Sequence, residues 1–245
     1  MKTTLSPVVI KLANMAAKIP GVKKILKPWY YKYKDRINHN RNTQFHKNGI
    51  RVLELFDRVM TENNIPYTVF AGTLLGAVRE KGFIAHDCDI DTAVFYNDCF
   101  KSMSDVLKPY GFKLCRRFTI EDGVKGMEES YEKDNVTLDV FYIYRDNNGG
   151  TYQCDFHPVK GTISWEESMR KHGYVKARRL DFPVSHKFER LPFADISVSV
   201  IDNYTQWLSC RYGVSYMIPD PNFHDVGTNP YIRNEWSEAL YEKYS

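Results

Sequence analysis

Residues 67–95 read YTVFAGTLLGAVREKGFIAHDCDIDTAVF, and this stretch decides how the rest of the chain is understood. It opens with a short apolar, β-prone run, Tyr67 to Phe70, and breaks at Ala71–Gly72. A helix start is expected at Thr73, with Leu74, Leu75 and Val78 on one buried side. Gly72 and Gly76 would let backbone and ligand approach closely, and Arg79 would leave the helix as a fixed cation. A turn at Gly82 leads to Asp87-Cys88-Asp89-Ile90-Asp91 and the strand-like Thr92 to Phe95. In a strand, alternate residues share a face, so Asp87, Asp89 and Asp91 are expected together, with Cys88 and Ile90 turned inward. Three carboxylates side by side repel unless a cation lies between them, and oxygen ligands suit Mg²⁺ or Mn²⁺. A glycine turn at a helix start, facing paired carboxylates, can hold a nucleotide's phosphates against a metal. The plainer reading is a solvated acidic strand end. The Gly-Thr-x-x-Gly spacing, the arginine and the third aspartate weigh against it.

The segment AGTLLGAVREKGFIAHDCDIDTAVF resembles the signature of the LicD/fukutin-related family, usually GTLLGAxRxxxFIPWDDDIDI, within the nucleotidyltransferase superfamily. This chain has Ala85-His86-Asp87-Cys88-Asp89 where the family has Pro-Trp-Asp-Asp-Asp. The resemblance implies an α+β fold, a nucleotidyltransferase-like mixed β-sheet with flanking helices. It implies a metal-dependent transferase moving phosphocholine or an alditol phosphate from a CDP-linked donor to a surface-glycan or lipid-linked glycan acceptor. Asp89, Asp91 and Asp139 would be the catalytic acids, and these three with Asp87 would hold Mg²⁺ or Mn²⁺. Gly72, Thr73 and Gly76 would receive donor phosphates, with Arg79 and Lys81 adding charge. Asp139 interrupts the apolar strand Val136 to Tyr144, where an unpaired carboxylate is costly. A buried Arg or Lys partner is the structural alternative to the metal role. The family's closing pattern is matched by a short strand and a helix over about 201–211 ending in Tyr212-Gly213, so the resemblance covers roughly 48–225. Two rivals use related residues: a nucleotidyltransferase moving a nucleoside monophosphate, and a non-catalytic glycan-binding member.

Composition sets further bounds. Hydrophobic residues make up 43% of the 245, with 14 Phe and 17 Tyr, which suffices for a sizeable core. No apolar run reaches the 18 residues of a membrane span, and Lys11 and Lys18 interrupt the first residues too often for a signal peptide. Five cysteines without a CxxC pair point to reduced thiols in a cytoplasmic protein. Residues 1–50 carry eleven Lys and Arg against one acid, Asp35, a balance of +10, whereas the remainder has 23 against 29, or −6. A basic arm beside an acidic body suggests an anionic surface such as the inner face of a membrane. Nucleic acid is not expected, because the basic residues are confined to the arm.

The expected domains are a basic helical arm over 1–41, a catalytic domain over 42–228 and a C-terminal tail over 229–245. The arm is read as one or two short helices broken at Pro20–Gly21 and Pro28. A core helix follows from about Asn42 to Asn63, with Gly49 a flaw near its start. Strands are expected at 112–118, 127–132, 136–144 and 151–156, with a hairpin turn at Asn147 to Gly150. Ser164 and Glu167 form a capping-box pattern. His157, His172 or His186 would be available as a base, and His46 reads as a surface residue.

Overall fold

The computed structural model describes residues 22–99, 101–146, 150–183, 185, 187–220 and 232–244, with the side chains of 22–39 and 234 outside the description. Most of the basic arm, the proposed break at Pro20–Gly21, the hairpin turn at 147–149 and His186 therefore lie outside the described residues. The chain divides into two compact units, Met1–Thr43 and Gln44–Ser245. In the first, helix α1 (Val22–Glu62) is already under way, and it runs through Pro28, where a break was expected. Pro28 forgoes one N–H bond, and the ladder on either side carries the helix past it. Among the described residues no helix is long and apolar enough to cross a membrane.

In the second unit α1 buries Phe45, Val52, Leu53, Phe56, Val59 and Met60 along one stripe. Gly49 is a seat and not a flaw: a Cβ there would stand 2.9 Å from the Phe83 ring. The chain continues through β1 (Tyr67–Val69), α2 (Ala71–Arg79), β2 (Asp89–Phe95) and α3 (Met103–Leu107). Then come β3 (Lys113–Ile120), β4 (Gly126–Lys133), β5 (Val136–Arg145), β6 (Thr151–His157) and α4 (Trp165–His172). Last are β7 (Val175–Phe182), β8 (Phe188–Phe193), β9 (Ile196–Ile201), α5 (Tyr204–Tyr212) and β10 (Ile232–Lys243). The fold is α+β.

Eight strands form one mixed sheet in the order β1-β2-β5-β4-β3-β10-β7-β6, and β8 and β9 form a separate hairpin. Only β2 and β5 pair in parallel among the described strands, and the strip curls until β6 pairs with the end of β5 at Tyr144↔Tyr152 and Arg145↔Thr151. β5 is buried on both faces along most of its length, as befits a strand at the centre. One face covers the large core with α1, including Leu138, Val140, Tyr142 and Tyr144. Residues 229–245, set apart above as a tail, contain β10, which is inserted between β3 and β7. Its sequence IRNEWSEALYEK carries too few apolar residues to announce a central strand, because long charged side chains line its exposed positions.

Candidate active site

The site begins where β1 ends. Phe70 is extended, Ala71 takes a left-handed φ of 41°, and α2 starts there, two residues before the expected Thr73. A non-glycine residue in that region stores strain, which persists only where surrounding bonds impose it. Those bonds all run to one residue. Phe70 N–H donates to the Asp91 carbonyl at 2.9 Å, Gly72 N–H donates to Asp91 Oδ2 at 2.9 Å, and Asp91 N–H donates to Thr73 Oγ1 at 2.9 Å. The turn and the strand's aspartate are thus fastened together. A Cβ on Gly72 would stand 3.2 Å from Asp91 Oδ2 and 3.7 Å from both Asp87 oxygens, so a side chain there would push back the Asp91 carboxylate that closes on the helix start.

The parallel pairing brings Asp91 of β2 directly opposite Asp139 of β5, and Asp89 opposite Thr137. Thr92 Oγ1 donates to the Asp139 carbonyl at 2.9 Å and pins the pair. The register continues across the sheet: Asp139 faces Ser130, Ser130 faces Arg116, and Arg116 faces Lys243. One row of the sheet therefore reads Asp91, Asp139, Ser130, Arg116, Lys243. Asp87 is not on the strand. It lies in the turn before β2, and reaches the site through its closeness to Gly72.

The electrostatics follow from crowding. Burial first, then Asp89 and Asp139, push the Asp91 carboxyl well above the usual carboxylate range, opposed by Arg211 and the Gly72 amide. Burial also raises Asp87, against the pull of His86. A fifth carboxyl, Glu128 of β4, is buried on the same face. Burial and then Asp139 drive it well upward, with Arg116 opposing. Arg116 Nη2 donates to Asp139 at 3.2 Å, and Arg211 stands 3.6 Å from buried Asp155. Against the cost of burial, Arg211, Gln153, His157 and Arg178 hold Asp155 below its ordinary value.

Packing and pairing place the other expected residues. Thr73 is fully buried, and its hydroxyl fixes the turn by accepting the Asp91 N–H. Gly76 is a packing glycine: a Cβ would stand 2.4 Å from the Gly82 carbonyl oxygen. Arg79 pairs with Glu80 at 2.8 Å, and Lys81 follows it, at the far end of α2 from Gly72. Nine residues at about 1.5 Å rise put that end roughly 12 Å away. Among the described residues, Arg116 and Arg211 are guanidinium groups that act on the site carboxylates. His157 packs on Trp236 and His172 on Tyr174. The chain order hid Glu128, Arg116 and Arg211, although two acids at the middle of strand GMEESYEK were a usable signal.

Among the described residues, no three His, Cys, Asp or Glu groups stand assembled as a metal-ligand cluster. The donor chemistry nonetheless suits a hard cation, because Asp89, Asp91 and Asp139 offer only oxygen and crowd one another until a proton or a cation relieves them. Arg116 meets part of that demand at Asp139.

A family model described as LicD/FKTN/FKRP, nucleotidyltransferase domain, matches residues 64–201. The ribitol-5-phosphate transferase FKTN of Homo sapiens is 24% identical over 216 residues, covering 80% of this chain and 40% of that protein. An uncharacterised protein of Rickettsia typhi is 38% identical over 58 residues, 23% of this chain and 19% of its own. The chain spans about two-fifths of the length of the human relative. Of solved structures, the lincosamide antibiotic adenylyltransferase LnuA with lincomycin bound aligns at a TM-score of 0.37 and 13% identity, over 70% of this chain and 94% of that one.

Proposed function

The chain belongs to the LicD/FKTN/FKRP nucleotidyltransferase family, and from that premise we propose that it transfers a phosphorylated small group, such as phosphocholine or an alditol phosphate, from a CDP-linked donor to a hydroxyl of a glycan. One observation carries the reading: Asp91 and Asp139 face each other across the parallel β2–β5 pair, and the α2 turn is fastened to Asp91. The donor's diphosphate lies beside the Gly72 turn, where the Asp87 and Asp91 carboxylates close on the glycine, so a cation is needed between them and the phosphates. Arg211 supplies fixed positive charge beside Asp91, opposing the repulsion that phosphate would meet there. Asp89, Asp91 and Asp139, with Asp87 at the rim, would hold Mg²⁺ or Mn²⁺, which would supply positive charge against the diphosphate. The acceptor oxygen forms a bond to phosphorus as the bond to the nucleoside monophosphate breaks. The monophosphate leaves with the electron pair, and an aspartate takes the acceptor's proton.

The test is a single-turnover assay across CDP-choline, CDP-ribitol and CDP-glycerol, with mass analysis of the products. Release of CMP that stops with EDTA and falls at least about a hundredfold in Asp91→Asn is expected, the scale of one lost charge-stabilising group. Release of pyrophosphate from a nucleoside triphosphate, with no CMP from any of the three, would overturn the reading in favour of nucleotidyl transfer.

A further inference from the structure

The row that starts at Asp91 and Asp139 ends over an open cleft of about 470 Å³, lined by residues of β3, β4, β5, α4 and β10. Adjacent strands are about 4.8 Å apart, so Ser130, two strands from Asp91, stands roughly 10 Å from it. The cleft opens where the carboxylates stop.

Its floor is polar and unfinished. Ser130 is 1% exposed, yet its hydroxyl has no hydrogen-bond partner, and the buried Nε of Arg116 has none either. Native proteins rarely leave such groups unmet; both residues line the cleft, and a small shift of its lining would let a polar ligand or water reach these closed-off atoms. The walls are aromatic. Trp165 and Tyr241 stand 6.0 Å apart at 33°. The Trp165 N–H is committed to the Phe156 carbonyl, and Arg116 covers its ring at 5.2 Å. That leaves a wall and no slot for a stacked base. At the rim, Lys243 is paired with Glu166, and Glu132 adds a second carboxylate opposite Thr137. Two cations and two anions disfavour a phosphate-rich ligand, whereas a neutral polyol finds both donors and acceptors.

Reaction geometry agrees. An in-line displacement brings the attacking oxygen in opposite the leaving group. A nucleotide leaving on the Gly72 side would put the attacking oxygen on the β4 and β3 side, where the cleft lies. We propose that this cleft holds a neutral sugar ring of the acceptor, with its reacting hydroxyl directed past Ser130 towards Asp139. The proposal rests on the transferase reading above and extends it to the second substrate.

The test uses the whole protein and simple probes: methyl glycosides of glucose, galactose, N-acetylgalactosamine and rhamnose, followed by saturation-transfer NMR and tryptophan fluorescence. At least one glycoside is expected to bind at millimolar concentration, and to remain bound when CMP saturates the nucleotide side. Thr137→Val and Glu132→Gln, both at accessible positions, should each weaken it about tenfold. Trp165→Leu should abolish the fluorescence response and, if it folds, the NMR signal. In turnover, the two milder variants should shift the products from sugar transfer towards donor hydrolysis. Absence of binding by every glycoside, displacement of the sugar by CMP, or unchanged affinity in both milder variants would overturn the proposal. Sugar binding is read without any donor, so it stands or falls separately from the CMP-release test of the transferase reading.

Discussion

Neighbouring residues Glu128 and Glu129 point to opposite faces of β4 and should answer mutation with opposite signs. Glu129 is 1% exposed and fully engaged: Arg117 donates to it at 2.6 Å, and Tyr131 and Tyr142 each donate at 2.7 Å. Changing it to Ala strands a guanidinium and two buried hydroxyls and should cost about 3–5 kcal/mol in thermal or urea unfolding. Glu128 is crowded by Asp139 and Asp155, and burial lifts its carboxyl well up. Glu128→Gln removes that surplus and should stabilise the metal-free protein by roughly 0.5–2 kcal/mol. The pH dependence has a definite sign. Asp91 and Glu128 hold their protons more tightly folded than unfolded. The folded state therefore binds more protons once pH rises above the ordinary carboxylate range of about 4, and stability falls with rising pH from there through the raised values. Glu128→Gln should flatten that fall, as seen in unfolding midpoints taken between pH 4 and 7. A steeper fall would remove Glu128 from the acidic group. The aspartates were legible because alternation in a strand needs only local sequence. Arg116 and Arg211 were not, since only the register of β3 and the end of α5 bring them near. Asp139 has the arginine partner of the structural alternative, at 3.2 Å, and also stands opposite a second aspartate.

For the elements, the two glycines of α2 divide the labour. Gly76→Ala drives a Cβ into the Gly82 carbonyl and should cost about 1–3 kcal/mol with the site chemistry intact in whatever folds. Gly72→Ala meets only carboxylate oxygens, at 3.2 and 3.7 Å, so the fold should survive while turnover drops at least about tenfold. Equal unfolding midpoints for the two variants would contradict this division. β10 shows why part of the sheet escaped the sequence. A strand between two partners commonly reads as a continuous apolar run, yet β10 pairs β7 within its first eight residues and β3 with its last four. Each part satisfies a different neighbour, so the strand carries no single face pattern. Truncation after residue 231 would expose the edges of both β3 and β7, and should yield protein that circular dichroism and solubility report as unfolded. A soluble, strand-rich product would show that the sheet closes without it.

At the scale of the whole molecule, the division at Thr43 falls within α1, and a cut there severs the helix just before Phe45, its first buried residue among those described. Removing residues 1–43 should shift the unfolding midpoint of the remainder by no more than about 3 °C, less than roughly 1 kcal/mol for a body of this size. If the basic segment meets anionic lipid, the full chain should bind acidic vesicles in a manner that weakens steeply with salt, since exposed charges are screened beyond about 10 Å at 0.1 M. The shortened chain should not bind, and equal binding by both would end the idea. The position of β10 also governs when the protein can exist at all. β3 is translated more than a hundred residues before the strand that will lie beside it, and β7 some fifty before. Throughout that interval both wait with open edges on the nascent chain. Closure of the largest sheet is thus a late, long-range event, slow by the loop it must span and hazardous by the edges it leaves bare. A cell making this protein should depend on holdase chaperones during synthesis, and slowing translation near residue 230 should lower its yield where slowing it earlier does not.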